Sequence, residues 1–225
     1  MRRDLRISLV IPCHNEEEGI RGLFPRLPSE VDEVVVVDNA CTDRTALVAR
    51  SLGGRVISEP RPGYGAAYRA GLKAATGDLI VTMDGDGTYP PEAIPRLVDE
   101  MLDRGWDFLS GCRFPLDDPR AMPPSNRIGN RLLTLAAAVL FRAPMRDSQS
   151  GMWVFRRSLL ERLSLTSDGM PFSQEIKLEA IAQGARFGES HIAYGFRHGE
   201  VKLRKWRDGW ANLSFLVRRR LGPRW

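Results

Sequence analysis

Apolar runs and helix-spaced segments alternate through the first half of the chain. Ile7–Ile11 is short, apolar and rich in β-branched residues, and it predicts a first strand. Glu16–Leu27 follows with helical spacing. Val34–Val37 is four consecutive valines, the pattern of a strand buried on both faces. Asp43–Leu52 predicts a helix with Thr42 or Asp43 as its cap. Arg55–Ser58, the alanine-rich Tyr64–Ala75, Leu79–Met83, Pro91–Arg104 and Asp107–Gly111 continue the alternation of strand and helix. This order predicts an α/β fold: a mostly parallel sheet flanked by helices, in one domain.

The second half is less regular. Asn126–Phe141 predicts a long helix, Trp153-Val154-Phe155 a strand, and Ser158–Leu163 and Ser173–Gln183 two more helices. Arg186–Phe196 reads as one or two short strands, and about Lys205 to Arg220 as a terminal helix. Along that helix Trp206, Trp210, Leu213 and Val217 share one face by their spacing, with Arg207, Arg218 and Arg219 on others. The chain divides into residues 1–113, 114–204 and a basic segment 205–225.

Polar residues gather where the predicted strands end, which is where parallel α/β sheets bind ligands. The first strand runs into Pro12-Cys13-His14-Asn15-Glu16, the second into Asp38-Asn39, the fifth into Gly111-Cys112-Arg113. The fourth delivers Asp84-Gly85-Asp86-Gly87-Thr88. Two hard carboxylates beside a glycine-rich turn suit Mg2+ or Mn2+, which keep waters and take phosphate oxygens as further ligands. A calcium EF-hand loop is disfavoured, because Tyr89 and Pro95 stand where its glycine and glutamate belong. A dinucleotide fingerprint is excluded too: after Gly63 and Gly65, Tyr68 replaces the third glycine. His14 reads as a solvent-exposed strand-end histidine.

Charge adds a second theme. Net charge is +5 over 225 residues. From Arg197 to Trp225 there are nine Lys or Arg and two acids, a surplus of +7, which leaves the rest near −2. A basic C-terminal surface facing an anionic partner follows. No nucleic-acid motif accompanies the charge, so nucleic acid is not the expected partner. The three cysteines form no CxxC pair, so a reducing compartment without a disulfide framework is expected. The first strand begins too early for a signal peptide, and the longest apolar run, Leu132–Phe141, is short of the about 20 residues that a membrane span needs.

The ordered set VIPCHNEE at 10–17, VVDNACTDRT at 36–45, GYGAAYRAGLKAATGD at 63–78, DGDGTYPPE at 84–92, SGCR at 110–113, DSQSGMWVFRR at 147–157 and RHGEVKLRKWRDG at 197–209 resembles family 2 glycosyltransferases of the GT-A fold. It is most similar to the polyprenyl-phosphate sugar transferases typified by dolichol-phosphate mannose synthase. The resemblance implies that Pro12 and Glu16 hold base and ribose and that Asp38 binds nucleobase or ribose. Asp84 then contacts the nucleotide, with Asp86 on a Mg2+ or Mn2+ that bridges the diphosphate. Where the mannose synthases often carry Gln two residues after the second Asp, this chain has Thr88. Gly63-Tyr64-Gly65 is implied to cover the sugar nucleotide. Arg113 and Arg127 match phosphate-contacting arginines, Lys202 or Arg204 closes over the diphosphate, and Ser125 or Asn130 adds a hydrogen bond. Arg131 and Arg197 are further cations for an acceptor headgroup.

The activity so implied is inverting, metal-dependent transfer of a sugar from GDP-mannose or UDP-glucose to a polyprenyl phosphate. The enzyme would lie peripherally on the cytoplasmic face of the plasma membrane, attached by its basic terminal helix. An ionised phosphate needs no general base. Asp147 lies near where hydroxyl-accepting relatives place their base, and Glu175 is a second candidate. If either acts as a base, the acceptor is a hydroxyl. A non-catalytic sugar-nucleotide-binding protein is the reading from another class.

Overall fold

The computed structural model describes residues 4–197, Gly199 and 205–222. Seven strands form one sheet: β1 (Ile7–Cys13), β2 (Glu33–Asp38), β3 (Arg55–Ser58), β4 (Leu79–Thr82), β5 (Phe108–Cys112), β6 (Trp153–Arg156) and β7 (Phe187–His191). Their order is β3-β2-β1-β4-β6-β5-β7. All neighbours are parallel except β6, which runs antiparallel to both β4 and β5. The sheet therefore passes through both halves of the sequence, because β6 comes from the second half and separates two strands of the first.

The helices are α1 (Glu17–Leu23), α2 (Thr45–Ser51), α3 (Tyr64–Ala74), α4 (Ile94–Asp103), α5 (Pro124–Phe141), α6 (Phe172–Ala182) and α7 (Lys205–Leu221). Side-chain alternation along the strands splits the core in two. Ile7, Leu9 and Ile11 of β1 join Val81 and Val154 in packing against α1, α2 and α4. Val10, Val35, Val37, Trp153 and Phe155 face the other way, onto α3 and α6. A third, smaller cluster joins α5, α6 and α7 through Ala137, Phe141, Leu178 and Leu216.

Expected elements shift by a few residues. The first helix stops at Leu23 and continues as a 3-10 turn over Phe24–Arg26. The 158–163 segment is a 3-10 helix rather than an α-helix, and 186–196 holds one strand. The cap position of α2 falls on Arg44 rather than on Thr42 or Asp43, and Asp43 instead accepts the Thr45 N–H at 2.9 Å from just outside the helix.

Strand order reverses between β1 and β4, and the loops that leave their C-terminal ends create a crevice there. Gly19 of α1 sits directly on the loop after β4. A Cβ at Gly19 would lie 2.0 Å from the Gly85 carbonyl oxygen, so only glycine allows this approach. Replacing Gly19 with Ala is expected to cost about 1–3 kcal/mol by forced backbone displacement. Urea unfolding of the variant measures it; unchanged stability would show that the loop is not held by this contact.

Candidate active site

Two acids and an arginine meet at the crevice floor. Asp86 is buried, and its Oδ1 accepts the Thr88 N–H at 3.0 Å and the Thr88 hydroxyl at 2.6 Å. Thr88 thus orients Asp86. The other oxygen, Oδ2, lies 2.5 Å from Nη2 of Arg197, whose Nη1 is 3.6 Å from Glu16. Glu16, from the end of β1, therefore stands beside Asp86 from the end of β4.

Asp84 turns toward α3, where the hydroxyls of Tyr64 and Tyr68 donate to its Oδ1 at 3.1 and 3.3 Å. Burial and the neighbouring Asp86 charge push its carboxyl up to about 7, against the pull of Arg197 and Arg113. The two phenols are held neutral by burial, so they remain donors. Gly151 closes the same corner: a Cβ there would meet the Tyr64 hydroxyl at 2.6 Å and Asp84 at 3.0 Å. Neither tyrosine nor this glycine stands out in the sequence as more than core or turn.

The edge of the crevice beyond β2 is organised by Asn39. Its amide donates to the carbonyls of Glu59 and Arg61, and its Oδ1 accepts the Gly63 N–H. One side chain thus pins the loop after β2 to the loop between β3 and α3 at three points, a role that an Asp-Asn dipeptide does not announce. Asp38 accepts the Cys41 N–H at 3.0 Å, Pro12 is buried opposite Val37, and His14 pairs with the Asn39 carbonyl at 2.8 Å. Gly63 and Gly65 do not present a free helix start. The Gly65 and Ala66 N–H groups both donate to the Asp168 carbonyl, and glycine at 65 is needed because a Cβ would lie 2.1 Å from the Ser167 oxygen.

The opposite wall is basic. Arg113, at the end of β5, is buried and forms a two-pronged pair with Asp147, Nε to Oδ2 at 2.7 Å and Nη2 to Oδ1 at 2.8 Å. Its backbone N–H adds a third bond to the same carboxylate. Despite full burial, the Arg113 charge holds the Asp147 carboxyl below the ordinary aspartate range. The guanidinium lies 5.2 Å from the Tyr194 ring centre and 5.9 Å from that of Phe114. Arg131 of α5 lies 5.8 Å from the same Phe114 ring, so Arg113 and Arg131 converge on one aromatic. Arg127 is half-buried on α5, Ser125 is exposed beside Asn126, and Asn130 contacts Met122. Lys202 and Arg204 lie outside the described residues.

Both acids considered as bases are fully buried and engaged. Glu175 accepts the N–H and hydroxyl of Thr166 and the N–H of Ser167, so it ties a loop to the start of α6. Asp147 is locked on Arg113. Lys177 of α6, a residue that sequence reasoning missed within a helical apolar pattern, is fully buried and donates to the Asp147 carbonyl at 2.8 Å. Its ammonium also lies 5.9 Å from the Trp153 ring centre.

Burial pulls Lys177 down to about 8, only partly opposed by Asp147 and Glu189. The unfolded chain, with lysine near 10.4, binds more protons between these values, so the stability cost of burying the charge is complete below pH 8 and lifts as pH rises through that window. Lys177→Met is expected to remove about 3 kcal/mol of this pH dependence. Urea unfolding of both proteins on either side of the window tests it, and parallel pH profiles would exonerate Lys177.

Comparison with known proteins agrees with this geometry. The family model described as glycosyl transferase family 2 matches residues 8–164. The low-salt glycan biosynthesis hexosyltransferase Agl6 of Haloferax volcanii is 34% identical over 218 residues, 94% of this chain and 53% of Agl6, so the chain spans about half of that relative. The dolichyl-phosphate hexose transferase of the same organism is 34% identical over 215 residues, 94% of this chain and 92% of the relative. The dolichol-phosphate mannosyltransferase of Pyrococcus furiosus is 30% identical over 218 residues, 89% of this chain and 60% of the relative. Among solved structures, glucosyl-3-phosphoglycerate synthase from Mycobacterium tuberculosis, in complex with Mn2+, UDP-glucose and phosphoglyceric acid, superposes with a TM-score of 0.78 at 23% identity. The match covers 99% of this chain and 82% of that one. The chain belongs to glycosyltransferase family 2 and is a glycosyltransferase of the GT-A fold.

Proposed function

We propose that the protein transfers a hexose from a nucleotide sugar, GDP-mannose or UDP-glucose, to a polyprenyl phosphate at the cytoplasmic face of the plasma membrane, with inversion at the anomeric carbon. The observation that carries the choice of acceptor is the state of Asp147 and Glu175. Both are buried and fully hydrogen-bonded, and Asp147 is held as the anion partner of Arg113. An acceptor that must lose a proton finds no base in either. A phosphate arrives ionised and meets Arg113 and Arg131 instead. The names of two relatives, a dolichyl-phosphate hexose transferase and a dolichol-phosphate mannosyltransferase, support this reading.

A divalent cation fits the acid side. Asp86 already draws a cationic partner to its Oδ2, and Asp84 is pushed toward neutrality by burial beside a second carboxylate. The described residues hold no cluster of three or more His, Cys, Asp or Glu, so the protein offers two carboxylates and leaves the remaining positions to diphosphate and water, as suits Mg2+ or Mn2+. Such an ion, when bound, neutralises the charge that develops on the departing nucleoside diphosphate. The chain's own residues orient. Thr88 fixes Asp86, Tyr64 and Tyr68 fix Asp84, and Asn39 holds the loops beside Asp38. Arg113 and Arg131 set the acceptor phosphate on the face opposite the nucleotide. Positioning and charge complementarity then carry the rate.

Two measurements test this reading. Purified protein with Mn2+ or Mg2+, labelled GDP-mannose or UDP-glucose, and a short polyprenyl phosphate is expected to yield labelled lipid, with loss of at least about 100-fold in Asp86→Ala. Label appearing only on a hydroxyl acceptor would reject it. Because the Asp84 carboxyl titrates near 7, protons compete with the ion below that pH. Mn2+ affinity, read by electron paramagnetic resonance, is expected to fall up to about tenfold per unit below pH 7. A flat profile would remove Asp84 from the ligand set.

A further inference from the structure

A chain of side-chain amides runs from α7 to the crevice, and its far end fixes its direction. Asn212 of α7 offers a backbone carbonyl, which can only accept, to Nε2 of Gln174 at 2.9 Å. Gln174 lies fully buried in the first turn of α6. With its Nε2 turned to α7, its Oε1 faces Gln149. Nε2 of Gln149 donates to that oxygen at 3.2 Å and to the Ser148 hydroxyl at 3.0 Å. Both hydrogens of the Gln149 amide are thereby used. Its Oε1 has no partner among the described residues, and it is left as an acceptor whose orientation is set from α7.

Gln149 stands midway between the two walls of the crevice. Two residues before it, Asp147 holds Arg113, and two residues after it, Gly151 lies against Tyr64 and Asp84. Each arm spans at most about 7 Å. Of residues 147–152, Gln149 alone is not buried. Helix α6 ties the same point to the acid side, because the Ser173 hydroxyl, next to Gln174, donates to the Tyr64 hydroxyl that bonds Asp84. Charged groups therefore lie to either side, and between them Gln149 sets a neutral carbonyl oxygen.

We propose that Gln149 reads the donor sugar: its Oε1 accepts the O–H of one hexose hydroxyl, and Gln174 is a positioning residue that fixes this direction from α7. The inference rests on the transferase reading, in which the hexose passes from a diphosphate on the acid side to a phosphate beside Arg113. A sugar between those two charges spans the place of Gln149. A glutamine free to turn its amide would satisfy a donor or an acceptor equally well. The relay removes that freedom, so the site asks for an O–H at this point. A sugar that lacks the hydroxyl leaves the Gln149 oxygen unpaired, and the loss of that bond is the basis of selection.

Calorimetry of donor binding to the full chain, with Mn2+ and without acceptor, tests it. The ligands are GDP, UDP, GDP-mannose, UDP-glucose and the monodeoxy analogues of whichever nucleotide sugar binds. Wild type is expected to bind one monodeoxy donor about tenfold more weakly than the parent, the effect of one lost hydrogen bond. Gln149→Met is expected to bind the parent about tenfold more weakly, to bind that same deoxy donor as wild type does, and to keep its affinity for the nucleoside diphosphate. Gln174→Met is expected to weaken the discrimination against the same deoxy donor while nucleoside diphosphate affinity holds, which a general loosening of the fold would lower. Unchanged discrimination in Gln174→Met would remove its positioning role. Wild type that binds every monodeoxy donor as well as the parent, or a Gln149→Met loss equal for the parent and all analogues, would overturn the reading of Gln149 and leave the transferase reading standing. Wild type that binds no nucleotide sugar would overturn the transferase reading and this inference with it.

Discussion

The buried pair between Arg113 and Asp147 is the constraint on which the basic half of the crevice depends. Taking both charges out of water is costly, and only the two-pronged geometry with a third bond from the Arg113 N–H compensates. The pair ties four elements together. Arg113 ends β5, Asp147 precedes β6, Lys177 holds the Asp147 carbonyl from α6, and Glu189 of β7 accepts the Asp147 N–H at 3.1 Å. The strand that breaks the parallel order, β6, is thereby fixed at its entrance to the sheet. With Nε and Nη2 both held by Asp147, the guanidinium has one orientation, beside the Tyr194 and Phe114 rings.

The crevice is thus polarised. Glu16 and Asp86 meet across Arg197 at the ends of β1 and β4, where strand order reverses, Asp84 turns to α3 from the same loop, and arginines converge from β5 and α5. Tyr89 and Tyr194 bridge the halves in an edge-to-face contact with ring centres 5.4 Å apart, and the Tyr89 hydroxyl accepts the Gly151 N–H. A ligand with a cation-bridged diphosphate at one end and a separate phosphate approaching from the other matches that polarity. Arg197 adds a link between them, because it reaches Asp86 and Glu16 from the segment after the last strand.

The strands and the acid loop were legible in the sequence because they are local. Four valines in a row, an apolar run into Asp84-Gly85-Asp86, and polar strand ends need no tertiary knowledge. What stayed hidden is pairing across distance. Tyr64 and Tyr68 read as helix core until Asp84 is seen to accept from both. Lys177 sits in an apolar helical pattern, and its partner is a backbone carbonyl thirty residues away. Asp147 and Glu175 look alike as acids in polar motifs, and only their partners show that one anchors a guanidinium and the other a loop. The antiparallel β6 follows the same logic: its apolar sequence specifies a strand, whereas its direction is set by where the chain has to return.

The α5 helix carries both halves of the functional proposal on one rigid element. Midway along it, Arg131 shares the Phe114 ring with Arg113, and Ile128, Leu132, Leu135 and Val139 form an exposed apolar stripe along the same helix. The core does not need that stripe, because α5 is already anchored inward by Ala137, Phe141 and the Thr134–Ser148 hydrogen bond. Thr134 also accepts the Ser148 N–H, one residue after Asp147, so the helix and the Arg113 anchor are held in register. If the stripe lies on a bilayer, the same register holds Arg131 and Arg113 at a fixed height above the headgroups. An acceptor phosphate could then reach the crevice with its apolar tail still in the membrane, and the cost of extracting a long hydrocarbon chain into water would not arise.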